Sequence, residues 1–241
     1  MVGLILSAGK GTRVNSLCNC IPKPLLVING RTLLEYNLYL FKNTSIKKVF
    51  IVVSPRYKNL IENSLKNLNF GLEIDFIVQK RQLGTAHAVK ISQSKIGNEN
   101  FLYLVGDNLT NFNLNKLIER HTETKADVTL ALKEVEHPEK YGVAEINGKW
   151  VIRIVEKPEN PPSNLSFTSM AIFEPIIFDF VKKVKKNIHK NEYFITDAIE
   201  KLVEKRGKVG FVKVDTWRLN INTPTDWEKA QDFAKSFDFI F

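Results

Sequence analysis

At 241 residues, 44% of them hydrophobic, the chain has enough apolar material for a full core and reads as one domain spanning residues 1–241. Its 35 Lys and Arg against 26 Asp and Glu leave a net charge of +9, spread along the chain with only short runs such as KKVKK at 182–186. That balance suits anionic small substrates, and without a concentrated basic stretch carrying interleaved aromatics it argues against a nucleic-acid binder.

The predicted elements alternate. An apolar strand, Val2 to Leu6, opens the chain and breaks into a glycine-rich turn at Gly9 and Gly11. KKVFIVVS at 47–54 is a β-branched run and reads as a strand buried on both faces. YKNLIENSLKNL at 57–68 places Leu60, Ile61, Leu65 and Leu68 at helical spacing. LEIDFIVQ at 72–79 reads as strand, TAHAVKISQ at 85–93 as helix, NFLYLVGD at 100–107 as a buried strand and LNKLIERHTE at 114–123 as helix. Repeated strand–helix units imply a parallel sheet covered on both faces.

After Lys125 the pattern changes. ADVTLALKEV, GVAEI and WVIRIVEK are strands, and Asn147-Gly148 between the last two is a hairpin turn. PENPPSN at 158–164 is a loop, helices are expected near 175–187 and 195–206, and the strand KVGFVKV leads to a last helix after Pro224. The expected fold class is α/β: a three-layer Rossmann-like domain with a mostly parallel central sheet and a β-rich second half. No apolar stretch approaches the roughly eighteen residues of a membrane span, and the N-terminus lacks a signal-peptide pattern. Cys18 and Cys20 stand too close for an ordinary disulfide and no histidine pair completes a zinc pattern, so a cytoplasmic protein with reduced thiols is expected.

The opening stretch LILSAGKGTR invites comparison with phosphate-binding loops. A P-loop needs a glycine five positions before Gly9, where Leu4 stands, and a hydroxyl after Lys10, where Gly11 stands. The dinucleotide pattern G-x-G-x-x-G fails at Val14. A strand ending in a turn whose free N–H groups can face an anion survives both tests. Ligands of open parallel sheets bind at the carboxyl ends of strands, and the chemically informative residues collect there: Arg13 and PKPLL after the first strand, QKRQLGTAHA after the third, and Gly106-Asp107-Asn108 after the fourth. Taken singly, Asp107 reads equally well as a helix cap, and Arg13, Lys23 and Lys157 as solvated surface charges.

Taken in order, these stretches resemble the sugar-1-phosphate nucleotidylyltransferases. LSAGKGTR followed by PKPLL looks like the signature loop of that family and its phosphate lysine, and QLGTAHA, GDN, YGVAEI, VEKP, EYFITD and LNINTP follow in family order over nearly the whole chain. The resemblance implies the nucleotide-diphospho-sugar transferase fold, with residues 1–125 as a nucleotide-binding half and 126–241 as a sugar-phosphate-binding half. It implies attack of a sugar 1-phosphate on the α-phosphorus of a nucleoside triphosphate, with loss of pyrophosphate. That reaction demands positioning and neutralised charge more than a covalent nucleophile.

On the same resemblance, Arg13, Lys23, Asp107 and Lys157 are the catalytic set. Leu6, Ser7, Ala8, Gly9, Lys10 and Gly11 cradle the nucleotide, whose base is read by Gln79, Gly84 and Thr85. Gly142, Glu156 and Lys157 hold the sugar phosphate, and Mg²⁺ sits on Asp107 and Asn220. Asn220 stands where many members carry the aspartate of Asp-x-Gly-Thr, as in the enzymes that make UDP-N-acetylglucosamine. The spacing of QKRQLGT and EYFITD looks like the uridylyl and thymidylyl branches, hence UTP or dTTP. Where the N-acetylglucosamine enzymes read Asn-Thr-Gly, this chain reads Phe167-Thr168-Ser169, which favours glucose 1-phosphate. The alternatives are an N-acetylglucosamine-1-phosphate uridylyltransferase, a mannose-1-phosphate guanylyltransferase, a catalytically silent regulatory subunit of the same fold, or a nucleotide- or RNA-binding module. The resemblance is to members that lack the C-terminal hexapeptide-repeat domain, and the apolar ending FDFIF is expected to pack on the domain or on a second subunit of a homo-oligomer.

Overall fold

A strand that is apolar at every position has no face to show water. Residues 2–6 are such a strand, and alternation sends Val2, Leu4 and Leu6 into one core and Ile5 into another. The structure, a computed structural model, describes residues 1–9, 21–188, 190–216 and 218–235. Lys10, Gly11, Arg13, both cysteines and the apolar ending fall outside the described residues.

In chain order the first half holds β1 (Val2–Leu6), the short pair β2 (Val27–Ile28) and β3 (Arg31–Thr32), α1 (Leu33–Lys42), β4 (Lys48–Val53), α2 (Lys58–Leu65), β5 (Glu73–Val78), α3 (Thr85–Ile96), β6 (Phe101–Val105), β7 (Asn108–Thr110) and α4 (Asn115–Thr124). The second half holds β8 (Val128–Glu134), β9 (Gly142–Asn147), β10 (Trp150–Glu156), β11 (Leu165–Phe173), α5 (Ile177–Val181), α6 (Ile195–Glu204), β12 (Val209–Lys213), β13 (Arg218–Asn220) and α7 (Pro224–Lys235).

Among the described residues nine strands form one sheet in the order β5-β4-β1-β6-β11-β8-β12-β10-β9. β5, β4, β1 and β6 are mutually parallel, as is the β12–β8 pair. β11 runs antiparallel between β6 and β8, and β9 and β10 form the expected hairpin, turned at Gly148 with φ +57°. α3, α5 and α6 pack on the face that takes Leu4, while α1, α2 and α4 pack on the face that takes Ile5. This is the three-layer, Rossmann-like α/β fold, with its β-rich half joined to the same sheet. Phe101 of β6 lies 5.4 Å from both Phe173 of β11 and Phe178 of α5, so aromatic burial ties the two halves of the sheet together.

The structure departs from the sequence reading at the short strands β2, β3, β7 and β13 and in three longer elements. α1 was not anticipated, although Thr32 and Glu35 make a complete capping box at its start: the Thr32 side chain accepts from Glu35 N–H, and Glu35 accepts from Thr32 N–H. β11 was not anticipated either. The helix expected over 175–187 ends at Val181, where four lysines crowd the next five residues and like charge disfavours another turn. A small third core joins β2, α1, β7, β13 and α7, with Trp227 Nε1 donating to the Val27 carbonyl at 2.8 Å. No described helix is long and apolar enough to cross a membrane.

Candidate active site

The carboxyl ends of β1, β5 and β6 surround a cavity of about 380 Å³. Leu6, Ser7, Ala8 and Gly9 form its floor, Gln79, Gly84 and Thr85 one wall, and Lys23 and Asp107 its mouth. The described part of the expected nucleotide set is therefore gathered in one place. The floor is tight: Gly106 donates its N–H to the Leu6 carbonyl at 2.9 Å, and a Cβ on Gly106 would stand 2.6 Å from Ser7 Oγ. Among the described residues Ser7 Oγ is buried without a hydrogen-bond partner, a hydroxyl in the floor of a cavity able to take an anion.

The Gln79 wall is held by cross-links. Gln79 Nε2 donates to the Gly84 carbonyl at 3.3 Å and lies 2.9 Å from His87 Nδ1. Gly84 has φ +97°, and a Cβ there would meet the Tyr193 carbonyl oxygen at 2.5 Å, so only glycine fits. Ala86 N–H donates to Tyr193 O, Tyr193 N–H to Leu83 O, and Ile195 N–H to Thr85 Oγ1. The segment that opens α6 is thus stitched to the loop that opens α3. Gln82, Glu192 and Asn222 also line the cavity and were not singled out in the sequence. Gln82 Nε2 donates to the Ala8 carbonyl at 2.7 Å; it lies within QKRQLGT, where only its place after a strand end signals the site.

At the mouth, Lys23 Nζ lies 3.1 Å from Asp107 Oδ2 and 3.3 Å from Asn222 Oδ1. Asp107 holds the chain end of β13 in place, its carbonyl accepting from Ile221 N–H at 3.1 Å. Asn220 was the expected metal partner of Asp107, yet Asn222 is the asparagine in the cavity wall. Asn220 lies in the ladder opposite Asn108, and its Oδ1 accepts from Asn222 Nδ2 at 2.8 Å. The two amides form a relay whose outer member meets Lys23.

Gly142, Glu156 and Lys157 belong to a second corner, on β9 and β10, and are not part of the cavity wall. Glu156 Oε2 accepts from Thr196 Oγ1 at 3.0 Å, and a Cβ on Gly142 would press on that pair, 2.7 Å from Thr196 Cγ2. Lys157 has φ +47°, a conformation that costs a residue with a Cβ about 1 kcal/mol, and its N–H donates to the Tyr141 carbonyl at 2.9 Å. Beside this corner, burial and then the charge of Glu156 push the Asp197 carboxyl up to about 6.

Two oxygens, one from the Asp107 carboxylate and one from the Asn222 amide, converge on a single cation, the Lys23 ammonium. Hard oxygen donors of this kind fit a divalent ion that draws its remaining ligands from phosphates and water. The described residues offer no cluster of three His, Cys, Asp or Glu able to hold a metal without such help.

The fold and cavity define a nucleotide-handling α/β enzyme. The family model described as "Nucleotidyl transferase" matches residues 2–234. The chain belongs to this family and is a sugar-1-phosphate nucleotidyltransferase. Among its relatives is the UTP–glucose-1-phosphate uridylyltransferase AglF of Haloferax volcanii, 32% identical over 96% of this chain and 95% of the relative. The low-salt glycan biosynthesis nucleotidyltransferase Agl11 of the same organism is 30% identical over 97% of this chain, which spans 66% of that longer relative. A solved UDP-glucose pyrophosphorylase complexed with UDP-glucose superposes with a TM-score of 0.86 at 26% identity, over 98% of this chain and 99% of the other.

Proposed function

We propose that this enzyme joins UTP or dTTP to glucose 1-phosphate, giving the nucleoside-diphosphate sugar and pyrophosphate. The observation that carries the reading is the convergence of Lys23, Asp107 and Asn222 at the mouth of a cavity floored by the first loop. In this reading residues 1–125 hold the triphosphate and 126–241 the sugar phosphate. The base enters between Gln79 and the Gly84–Thr85 turn, and the free Ser7 hydroxyl and neighbouring N–H groups meet the phosphates. Lys23 turns from Asp107 to the α-phosphate as substrate arrives, which costs little because one anion replaces another.

Bound Mg²⁺ would neutralise phosphate charge beside Asp107, with Asn222 or Asn220 as a neutral oxygen donor. Lys157 then sets the sugar phosphate in line with the α-phosphorus, Glu156 takes sugar hydroxyls across Gly142, and Arg13 offsets charge on the departing pyrophosphate. We place the reaction in the cytoplasm, where nucleoside triphosphates are supplied. The test is pyrophosphate release from a panel of triphosphates and sugar 1-phosphates, with and without EDTA. Turnover with UTP or dTTP, lost on chelation, is expected, and turnover with GTP or ATP alone would overturn the base assignment.

A further inference from the structure

Gln79 follows β5, its N–H on the Val53 carbonyl at 2.8 Å, and the residue lines the cavity. Two neighbours settle which end of its amide a ligand can meet. The Gly84 carbonyl, 3.3 Å from Gln79 Nε2, can only accept, so the atom facing it is the amide nitrogen. His87 Nδ1 stands 2.9 Å from the same nitrogen. An amide nitrogen only donates, so Nδ1 is the bare, accepting nitrogen of a neutral imidazole whose proton sits on Nε2. Both N–H groups of the Gln79 amide are then spent on the wall. Its Oε1 meets no donor among the described residues and is the polar atom left for a ligand.

His87 is half-buried in the first turn of α3 and does not itself line the cavity, so it acts through Gln79. Burial, and then the Lys90 ammonium, hold its pKa below the ordinary histidine value, which favours the neutral ring that the contact requires. Among the described residues Lys90 is the one charged group that acts on this ring: β1, β5, α5 and α6, which pack on α3, bring no other. An acceptor at the base slot chooses its partner by hydrogen-bond sense. Uracil and thymine offer N3–H, whereas N3 of cytosine is itself an acceptor and would meet Oε1 lone pair to lone pair. We propose that His87 is a positioning residue that holds the Gln79 amide with its oxygen towards the base, and that this selects uracil or thymine over cytosine. The inference rests on the pyrimidine reading above and adds the device that enforces it.

The test compares wild type with His87→Asn, whose Oδ1 takes the place of the accepting Nδ1, and with His87→Phe, a flat ring with no acceptor. His87→Phe should raise the KM for UTP roughly fivefold or more and lower the UTP-over-CTP ratio of kcat/KM by a similar factor. Its kcat with UTP and its KM for glucose 1-phosphate should stay within about twofold of wild type. His87→Asn should bring both the KM for UTP and the ratio back towards wild type. Lowering the pH from 8 to 5 should raise the KM for UTP more in wild type than in His87→Asn, because protonation turns Nδ1 from acceptor to donor. Equal loss on UTP and CTP, equal loss in both variants, or parallel pH profiles overturn the proposal. In the free protein ¹⁵N NMR reads the ring without turnover. Of the four histidines, the one whose signals vanish in His87→Asn should show a bare Nδ1 and a protonated Nε2 at pH 8, and a protonated Nδ1 overturns the proposal. If wild type uses neither UTP nor dTTP, the pyrimidine reading fails and takes the base choice with it, while the tautomer still decides whether His87 sets the amide.

Discussion

Lys23 and Asp107 hold each other at the mouth of the cavity, Nζ to Oδ2 at 3.1 Å, with side chains only 11% and 29% exposed. Each is therefore the other's counter-charge, and in the proposed reaction Lys23 meets phosphate and Asp107 the metal. Asp107→Ala removes the carboxylate that pairs with Lys23 and leaves the ammonium with the Asn222 amide. Turnover should fall about a thousandfold or more at every Mg²⁺ concentration, as expected when several kcal/mol of charge stabilisation are withdrawn. A pyrophosphate-release assay across a Mg²⁺ series checks this, and recovery at high Mg²⁺ would contradict it.

The asparagine relay makes a graded prediction on the same axis. An amide oxygen coordinates without adding charge, so Asn222→Ala and Asn220→Ala should raise the Mg²⁺ needed for half-maximal rate, with the larger shift in Asn222→Ala. Asn220→Asp should remain active. Titration curves of both alanine variants that overlay the wild-type curve would leave the pair as turn residues ahead of α7.

Gly84→Ala should be damaging in two ways at once. The backbone at φ +97° excludes a side chain, and the added Cβ would press on the Tyr193 carbonyl. A loss of about 1–3 kcal/mol in urea unfolding is expected, together with a higher KM for the triphosphate, because Gln79 leans on the Gly84 carbonyl. An unchanged unfolding midpoint would show that the stitch between the two loops is slack.

Asp197 predicts a pH dependence. Its carboxyl is raised from 3.8 to about 6, so between those values the folded state binds more proton than the unfolded one. Stability from this group is present below pH 4 and is lost as pH rises through 6. Asp197→Asn should therefore be more stable than wild type at pH 8, by about 1 kcal/mol once solvent screening at a half-buried site is allowed for, and the gap should close towards pH 4. Urea titrations at pH 4, 5, 6 and 8 measure it, and a gap that widens at low pH would reverse the assignment.

Acceptor choice should follow the Phe167-Thr168-Ser169 stretch. Phe167 and Thr168 are buried, Thr168 Oγ1 donates to the Ala131 carbonyl at 2.8 Å, and Ser169 takes φ +62° in a strand whose register slips between Phe167 and Ala171. No amide side chain stands here to meet an acetamido group. Glucose 1-phosphate should exceed N-acetylglucosamine 1-phosphate in kcat/KM by roughly tenfold, the value of one well-made hydrogen bond. The opposite order would locate the acetamido contact elsewhere.

Periodicity made the outer architecture readable. β4, β5, β6, α2, α3, α4 and α6 stand where apolar runs or helical spacing put them, because a strand covered on both faces, as β4 and β6 are, is apolar throughout, while a helix covered on one side is apolar at its own period. β11 escaped because LSFTSMAIF mixes small polar residues into an apolar run, and its identity comes from what lies on either side, β6 and β8. The floor and the Gln79 wall were legible as loops after strands. Asn222 was not, since nothing local marks it: its position depends on the pairing of β13 with β7, more than a hundred residues apart. The Asn220 expectation rested on motif register, and in the structure Asn220 is joined to the cavity through Asn222, whose Nδ2 donates to its Oδ1.

The central place of β11 also governs how the chain can be made. Residues 1–125 emerge first from the ribosome and can assemble β5, β4, β1 and β6, but one edge of β6 then has no neighbour. That edge waits until Phe173 is synthesised, roughly 70 residues later, or about 3 to 14 s at ordinary elongation speeds. For that interval the nascent protein presents an open strand of Phe101, Leu102, Tyr103 and Leu104, the kind of template on which chains aggregate. Residues 1–125 thus cannot mature alone, and a fragment ending near Lys125 should be sticky and chaperone-bound rather than a small folded domain.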